Sequence, residues 1–169
     1  MEEQKNEIKR DFMTVEQLVQ AYKEGRRDFR RIVLRDADLK NFDLSDADFS
    51  GADLKGSDLS DAAFNRANFG GADLSNTKCK GAFFVEANLD KADLSFADLK
   101  DADFEGASLQ NVDLIGANAN AYFAHADLQG ANLVGAKIED ACFEKANVLG
   151  VKIRMGDIKV FIAYRDDGF

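Results

Sequence analysis

The sequence predicts an all-β solenoid with a short α-helix at its N-terminal end. Three observations carry this reading: a five-residue period from Leu34 to Ile153, a Phe that recurs every twenty residues within it, and a helix-capping pattern ahead of the first repeat. The 169 residues suit a single domain, because chains usually divide only beyond roughly 250 residues. With 46% apolar and 31% charged residues, the composition is that of a soluble globular chain rather than a disordered one or a membrane span.

Residues 1–11, MEEQKNEIKRD, carry alternating charges and no apolar core of a secretory signal, so they are expected to form a mobile tail on a cytoplasmic protein. The spacing of Val15, Leu18, Val19 and Tyr22 predicts a helix from Thr14 to Glu24. Thr14 and Gln17 have the spacing of a capping box, Met13 and Leu18 that of a hydrophobic staple, and Gly25 suits the position after the C-cap. Residues 12–31 are therefore read as a helical lid on the first coil and a linker. A membrane or calmodulin-type helix is disfavoured by the mixed charges of the polar face.

From Asp36 the chain reads DADLK, NFDLS, DADFS, GADLK, and it keeps that register to about Arg154. Taking the Leu or Phe as the centre gives 25 centres, of which 20 are Leu or Phe, and the residue two before the centre is Ala in 19. A helix cannot present this period as an apolar stripe, since five residues advance the face by roughly 140° beyond a full turn. A straight strand also fails, because the three-residue step from centre to next Ala would turn that Ala outward. The backbone must bend once per repeat, pointing Ala and centre inward and leaving three positions, rich in Asp, Asn, Ser and Gly, for turns facing water. Small Ala is required if the coil is narrow.

If every fourth centre stacks, one column is Leu44, Phe64, Phe84, Phe104, Phe123 and Phe143. Its single 19-residue step places a one-residue deletion between Ala119 and Phe123. The other columns run Leu34, Leu54, Leu74, Leu94, Leu114, Leu133, Ile153; Leu39, Leu59, Cys79, Leu99, Ala119, Ile138; and Phe49, Phe69, Leu89, Leu109, Leu128, Val148. Cys79 then faces the core as an inert thiol and Cys142 faces outward on another wall, which argues against a disulfide between them. Residues 155–169, with Ile158, Val160, Phe161, Ile162 and Tyr164, are expected to cover the last coil, although the same residues could form a dimer seam; a monomer is the expected state.

These A(D/N)LXX repeats closely resemble those of the pentapeptide-repeat family, over about residues 32–154. The resemblance implies a right-handed quadrilateral β-helix with four repeats per turn. Six coils at the usual strand spacing of about 4.8 Å would make a rod of roughly 30 Å. The N-terminal helix followed by a short regular solenoid looks like small cyanobacterial-type members. Some members of the family mimic duplex DNA and bind type II topoisomerases. Duplex DNA would carry about 18 charges over that length. Residues 32–151 carry 21 acidic and 10 basic side chains, a difference of −11, with Lys78, Lys80, Lys100 and Lys137 on one wall, so mimicry is partial.

A net charge of −9 disfavours nucleic acid and anionic lipid as partners and points to proteins. One His, His125, with no placed nucleophile, phosphate loop or Cys/His cluster gives no basis for assigning catalytic residues, a cofactor or a metal site. Most residues just before a centre are Asp or Asn, but the wall outside the Phe column departs from that rule at Ala63, Phe83, Tyr122 and Cys142, with Val85 and Ala124 beside them. An apolar patch rimmed by polar residues marks a protein contact, which makes these six residues the candidate interaction surface of a non-catalytic scaffold. Phe96, Ile115 and Val134 form a weaker group on a neighbouring wall, where Asp53, Asp73, Asp93 and Asp113 stack one per coil.

Overall fold

The computed structural model describes residues 11–154. The described residues begin with a two-residue strand, β1 (Asp11–Phe12), followed by α1 (Val15–Lys23) and β2 (Ile32–Val33). Beyond β2 the structure is a ladder of single parallel bridges. Bridged residues are twenty apart from Asp28↔Asp48 to Asp98↔Asn118 and nineteen apart from Asp103↔Tyr122 to Asn118↔Lys137. They return to twenty at Tyr122↔Cys142. Four five-residue sides per turn follow directly, and the short step falls where the sequence loses a residue.

Each side is one bridged residue followed by a buried centre, and each corner is a turn. The carbonyl of a centre accepts from the amide three residues on, as in Ala52 to Phe49 (2.9 Å) and Ala102 to Leu99 (2.9 Å). The third turn residue has positive φ, for example Gly51 at 64°, Asp61 at 56° and Lys91 at 60°. Positive φ at that position alone marks a type II turn, which explains the Gly, Asn and Asp found there. The residue before the centre also serves the turn. Its carboxylate or amide oxygen accepts from the amide two residues later, as in Asp48 with Ser50 (2.9 Å), Asp93 with Ser95 (2.8 Å) and Asn68 with Gly70 (3.0 Å). At the deletion the positive-φ residue is missing, and Ala121 donates to Ala119 only two residues back (2.9 Å).

The interior is filled in columns. Phe64, Phe84, Phe104, Phe123 and Phe143 stack with ring centroids 4.9 to 5.4 Å apart and planes within 13°. That separation is close to the spacing between coils, so each ring lies almost parallel on the next. A second stack runs Phe29, Phe49, Phe69, beginning one repeat before Leu34, the first centre of the sequence register. The two stacks meet edge to face through Phe49–Phe64, Phe64–Phe69 and Phe69–Phe84. Cys79 is fully buried, and burial pushes its thiol up to about 12. Both cysteines are free.

The capping box of α1 is formed. The Gln17 amide donates to the Thr14 hydroxyl oxygen (3.3 Å), and the Thr14 amide donates to Gln17 Oε1 (2.9 Å). Gly25, with φ 95°, donates to Tyr22 O and Arg26 donates to Ala21 O, the pair of bonds that ends a helix in a Schellman motif. Leu18 is wholly buried, and the Tyr22 hydroxyl donates to the Ser45 carbonyl (2.9 Å). Asp11, assigned by the sequence to the mobile tail, instead pairs with Ile32 in a parallel bridge. The exposed edge of the first coil offers backbone groups that a neighbouring strand satisfies. The remaining tail, residues 1–10, and the expected C-terminal cap over residues 155–169 lie outside the described residues.

Among the described positive-φ corners that carry neither Gly, Asn nor Asp, Phe96 is the one with an apolar side chain. Phe96 has φ 58° and is 62% exposed, with its ring over Gly116, where an added Cβ would lie 2.7 Å from Phe96 Cε1. Gly71 occupies the same kind of corner (φ 64°) with nothing within 4 Å of an added Cβ. Gly71→Ala should therefore cost only the left-handed strain, about 1 kcal/mol. Gly116→Ala should cost about 2 kcal/mol, because the ring must also move, and Phe96→Gly should restore the difference. Thermal melts of the three single variants and the Phe96→Gly/Gly116→Ala double variant check this cycle.

Candidate functional site

The structure brings Asp43, Ala63, Phe83, Asp103, Tyr122 and Cys142 into one continuous ladder on the side backed by the Phe stack. Val85 and Ala124 follow their centres by one residue and lie on the same side. Phe83 is 46% and Tyr122 57% exposed, while Ala63, Val85, Ala124 and Cys142 are partly buried.

Replacing Asp or Asn in this ladder removes a turn acceptor as well as a charge. Asp43 and Asp103 hold the Ser45 and Glu105 amides at 3.0 and 2.9 Å. Ala63, Phe83, Tyr122 and Cys142 cannot make this bond. The Val85 amide turns instead to Asn65 Oδ1 of the preceding coil (3.2 Å). Among the described residues, the amides of Asn65, Ala124 and Glu144 donate to no protein acceptor. The sequence shows the apolar substitutions but not these open amides, because the side chain's bond to the turn is visible only once the corner geometry is known.

The Phe96, Ile115 and Val134 group does not adjoin this wall. Two repeats separate the Leu34 and Leu44 columns, and with four sides per turn two repeats are half a turn, so the group lies on the opposite side. That side carries the bridged ladder Asp53, Asp73, Asp93, Asp113. Asp53 pairs with Arg35 at 2.6 Å, and Asp73, Asp93 and Asp113 each accept from the amide two residues on. Like charges about 5 Å apart repel by order 1 kcal/mol per pair in water before screening. The melting temperature is accordingly expected to rise between low and moderate NaCl, and a flat or falling value would remove the ladder as a source of strain.

A feature the sequence reading passed over is the arginine run Arg26, Arg27, Arg30, Arg31, Arg35 on an otherwise acidic chain. Arg26, Arg30 and Arg31 line an open cleft of about 500 Å³ with Asp28 and Ser50. Most of these cations are engaged internally. Arg30 forks onto Asp28 at 2.9 and 2.7 Å, holding that carboxyl down at about 2, and Arg27 lies 3.8 Å from the Tyr22 ring centroid. The signal was legible as a local reversal of charge, and its function in the structure is to fasten the first coil.

Sides of five residues, corners closed by type II turns, and an interior of stacked columns define a β-helical repeat protein. The chain belongs to the pentapeptide repeat family, whose model matches residues 28–66, 67–106, 97–120 and 103–151. Proteins of this family fold as right-handed quadrilateral β-helices. Among solved structures, the pentapeptide repeat protein alr5209 from Nostoc is 29% identical over 86% of this chain and 99% of its own, with a TM-score of 0.35. A pentapeptide repeat protein from the thylakoid lumen of Arabidopsis thaliana, AT2G44920, is 34% identical over 77% of this chain and 80% of its own, with a TM-score of 0.26. HetL, a pentapeptide repeat protein involved in heterocyst differentiation regulation in the cyanobacterium Nostoc, is 24% identical over 85% of this chain and 98% of its own, with a TM-score of 0.28. A search of curated proteins found no match.

Proposed function

We propose that this protein is a non-catalytic scaffold whose Phe-ladder wall docks another protein. It is a cytoplasmic monomer, a β-helix of about six coils with α1 as its N-terminal cap. The observation that carries this reading is the exposure of two aromatic side chains, Phe83 and Tyr122, on one ladder where Asp or Asn is the rule. Exposed aromatics on a rigid face are the kind of anchor that interfaces bury. The interior is filled by Phe, Leu and Ala side chains, which supports a role carried by the outer walls. Among the described residues no helix is long and apolar enough to cross a membrane. Replacing Phe83 and Tyr122 together with Asp is expected to abolish partner capture from lysate while the fold persists, and undiminished capture would remove this wall from consideration.

The alternative, an acidic DNA mimic acting on a type II topoisomerase, draws its support from the net charge of −9. Against it stand Lys78 within a bridged ladder and the apolar wall itself, which a phosphate backbone does not resemble. A gyrase supercoiling assay separates the two.

A further inference from the structure

We propose that Phe83, Asp103 and Tyr122 form a clamp for an arginine side chain of the docking partner. The proposal rests on the docking reading above and names the chemistry of its occupant. The three residues are successive rungs of one parallel ladder, Phe83↔Asp103↔Tyr122. Residues in register on neighbouring rungs project from the same face, so the two aromatics stand about 10 Å apart with the carboxylate between them. A cation midway is then about 5 Å from each rung, inside the roughly 6 Å over which a ring face attracts it.

The charge at this point is unbalanced. Asp103 Oδ1 accepts from the Glu105 amide, leaving the rest of the carboxylate facing outward. Glu105 sits beside it, and the preceding corner carries Asp101 (φ 61°), while Glu86 on the other corner faces Arg66. The ion pairs on this side are Arg66–Asp46 and Lys145–Glu144, and among the described residues none reaches Asp103 or Glu105. An exposed aromatic pair around an uncompensated carboxylate is complementary to a group that is flat, positive and able to donate in its plane. Guanidinium meets all three requirements, since it stacks on rings and forks onto carboxylates, whereas ammonium is a compact, strongly hydrated point charge. The open Ala124 amide, two residues from Tyr122, supplies a donor for the partner's own main-chain carbonyl.

The test is an NMR titration of the full-length protein with the peptide acetyl-Ala-Arg-Ala-amide, its citrulline counterpart and its Lys counterpart. The arginine peptide should shift the amides of Phe83, Asp103, Tyr122 and Ala124, and the citrulline peptide, equal in shape but uncharged, should bind at least about tenfold more weakly. Asp103→Asn and Tyr122→Leu should each weaken the arginine peptide about fivefold or more at unchanged melting temperature, and the Lys peptide should fall between the other two. Equal binding of arginine and citrulline, or shifts spread evenly along Asp53, Asp73, Asp93 and Asp113, would overturn the clamp. If lysate capture depends on Phe83 and Tyr122 while the arginine and citrulline peptides bind alike, the clamp falls and the docking wall stands. If the arginine peptide binds as stated while capture ignores both aromatics, the clamp stands and the docking wall falls.

Discussion

Phe84→Ala is expected to destabilise the protein by about 3–5 kcal/mol, the range for emptying a buried aromatic site. Phe84 is fully buried and touches rings on three sides: Phe64 at 5.4 Å, Phe104 at 4.9 Å with planes 4° apart, and Phe69 edge-on at 5.8 Å. The coils above and below are tied by main-chain bonds, for instance Phe84 N to Asp103 O at 2.7 Å, so the walls cannot close on the vacated volume. A solenoid adds a second cost, because neighbouring coils support one another and a weak coil uncouples the rod on either side of it. For a chain of this size the melting temperature should fall by about 10 °C or more, and the transition should broaden or split. Phe96→Ala is the control, since that ring is mostly exposed and should change stability by only about 0.5 kcal/mol. A loss at Phe84 no larger than at Phe96 would mean that the stacked column does not hold the rod together.

The contrast between those two phenylalanines also shows what could be read from sequence. Phe84 was legible because its position in the five-residue register and the twenty-residue column is decided by burial, which leaves a composition signal. Cys79 and the deletion near Ala119 were legible for the same reason. Phe96 was legible as exposed but not as strained, because the left-handed corner is imposed by the turn on whatever residue falls there, including Arg31, Arg66 and Glu86. Phe29 was missed as a centre because the residue two before it is Arg27 rather than Ala. The pairing of Asp11 with Ile32 has no local signal, since it satisfies the open edge of a coil twenty-one residues away. At the candidate site the apolar residues and their common wall were legible from the twenty-residue column. The open amides beside them and the isolation of Asp103 required the coil geometry.

Ala102→Leu should destabilise by about 3 kcal/mol even though it adds apolar surface to the interior. Ala102 is fully buried, and its column runs Ala62, Ala82, Ala102, Ala121, Ala141, with the first coil's Phe42 at its head. Phe42 is only partly buried, so a large side chain is accommodated where no complete coil lies before it. Inside the rod the same inward position takes β-branched or small polar groups in other columns. Val112 is wholly buried, the Thr77 hydroxyl donates to Leu74 O at 2.6 Å, and that of Ser57 donates to Leu34 O at 2.7 Å. The space beside the backbone therefore holds two heavy atoms on Cβ. A Leu carries its branch one bond further, into volume already filled by the centres of the other sides, and an interior bonded coil to coil cannot widen to admit it. Ala102→Val should accordingly cost about 1 kcal/mol or less while Ala102→Leu costs several times that, a difference that thermal and urea melts resolve. If Leu were tolerated as well as Val, the tube would be wider than its backbone implies, and the preference for Ala at this position would need a cause other than space.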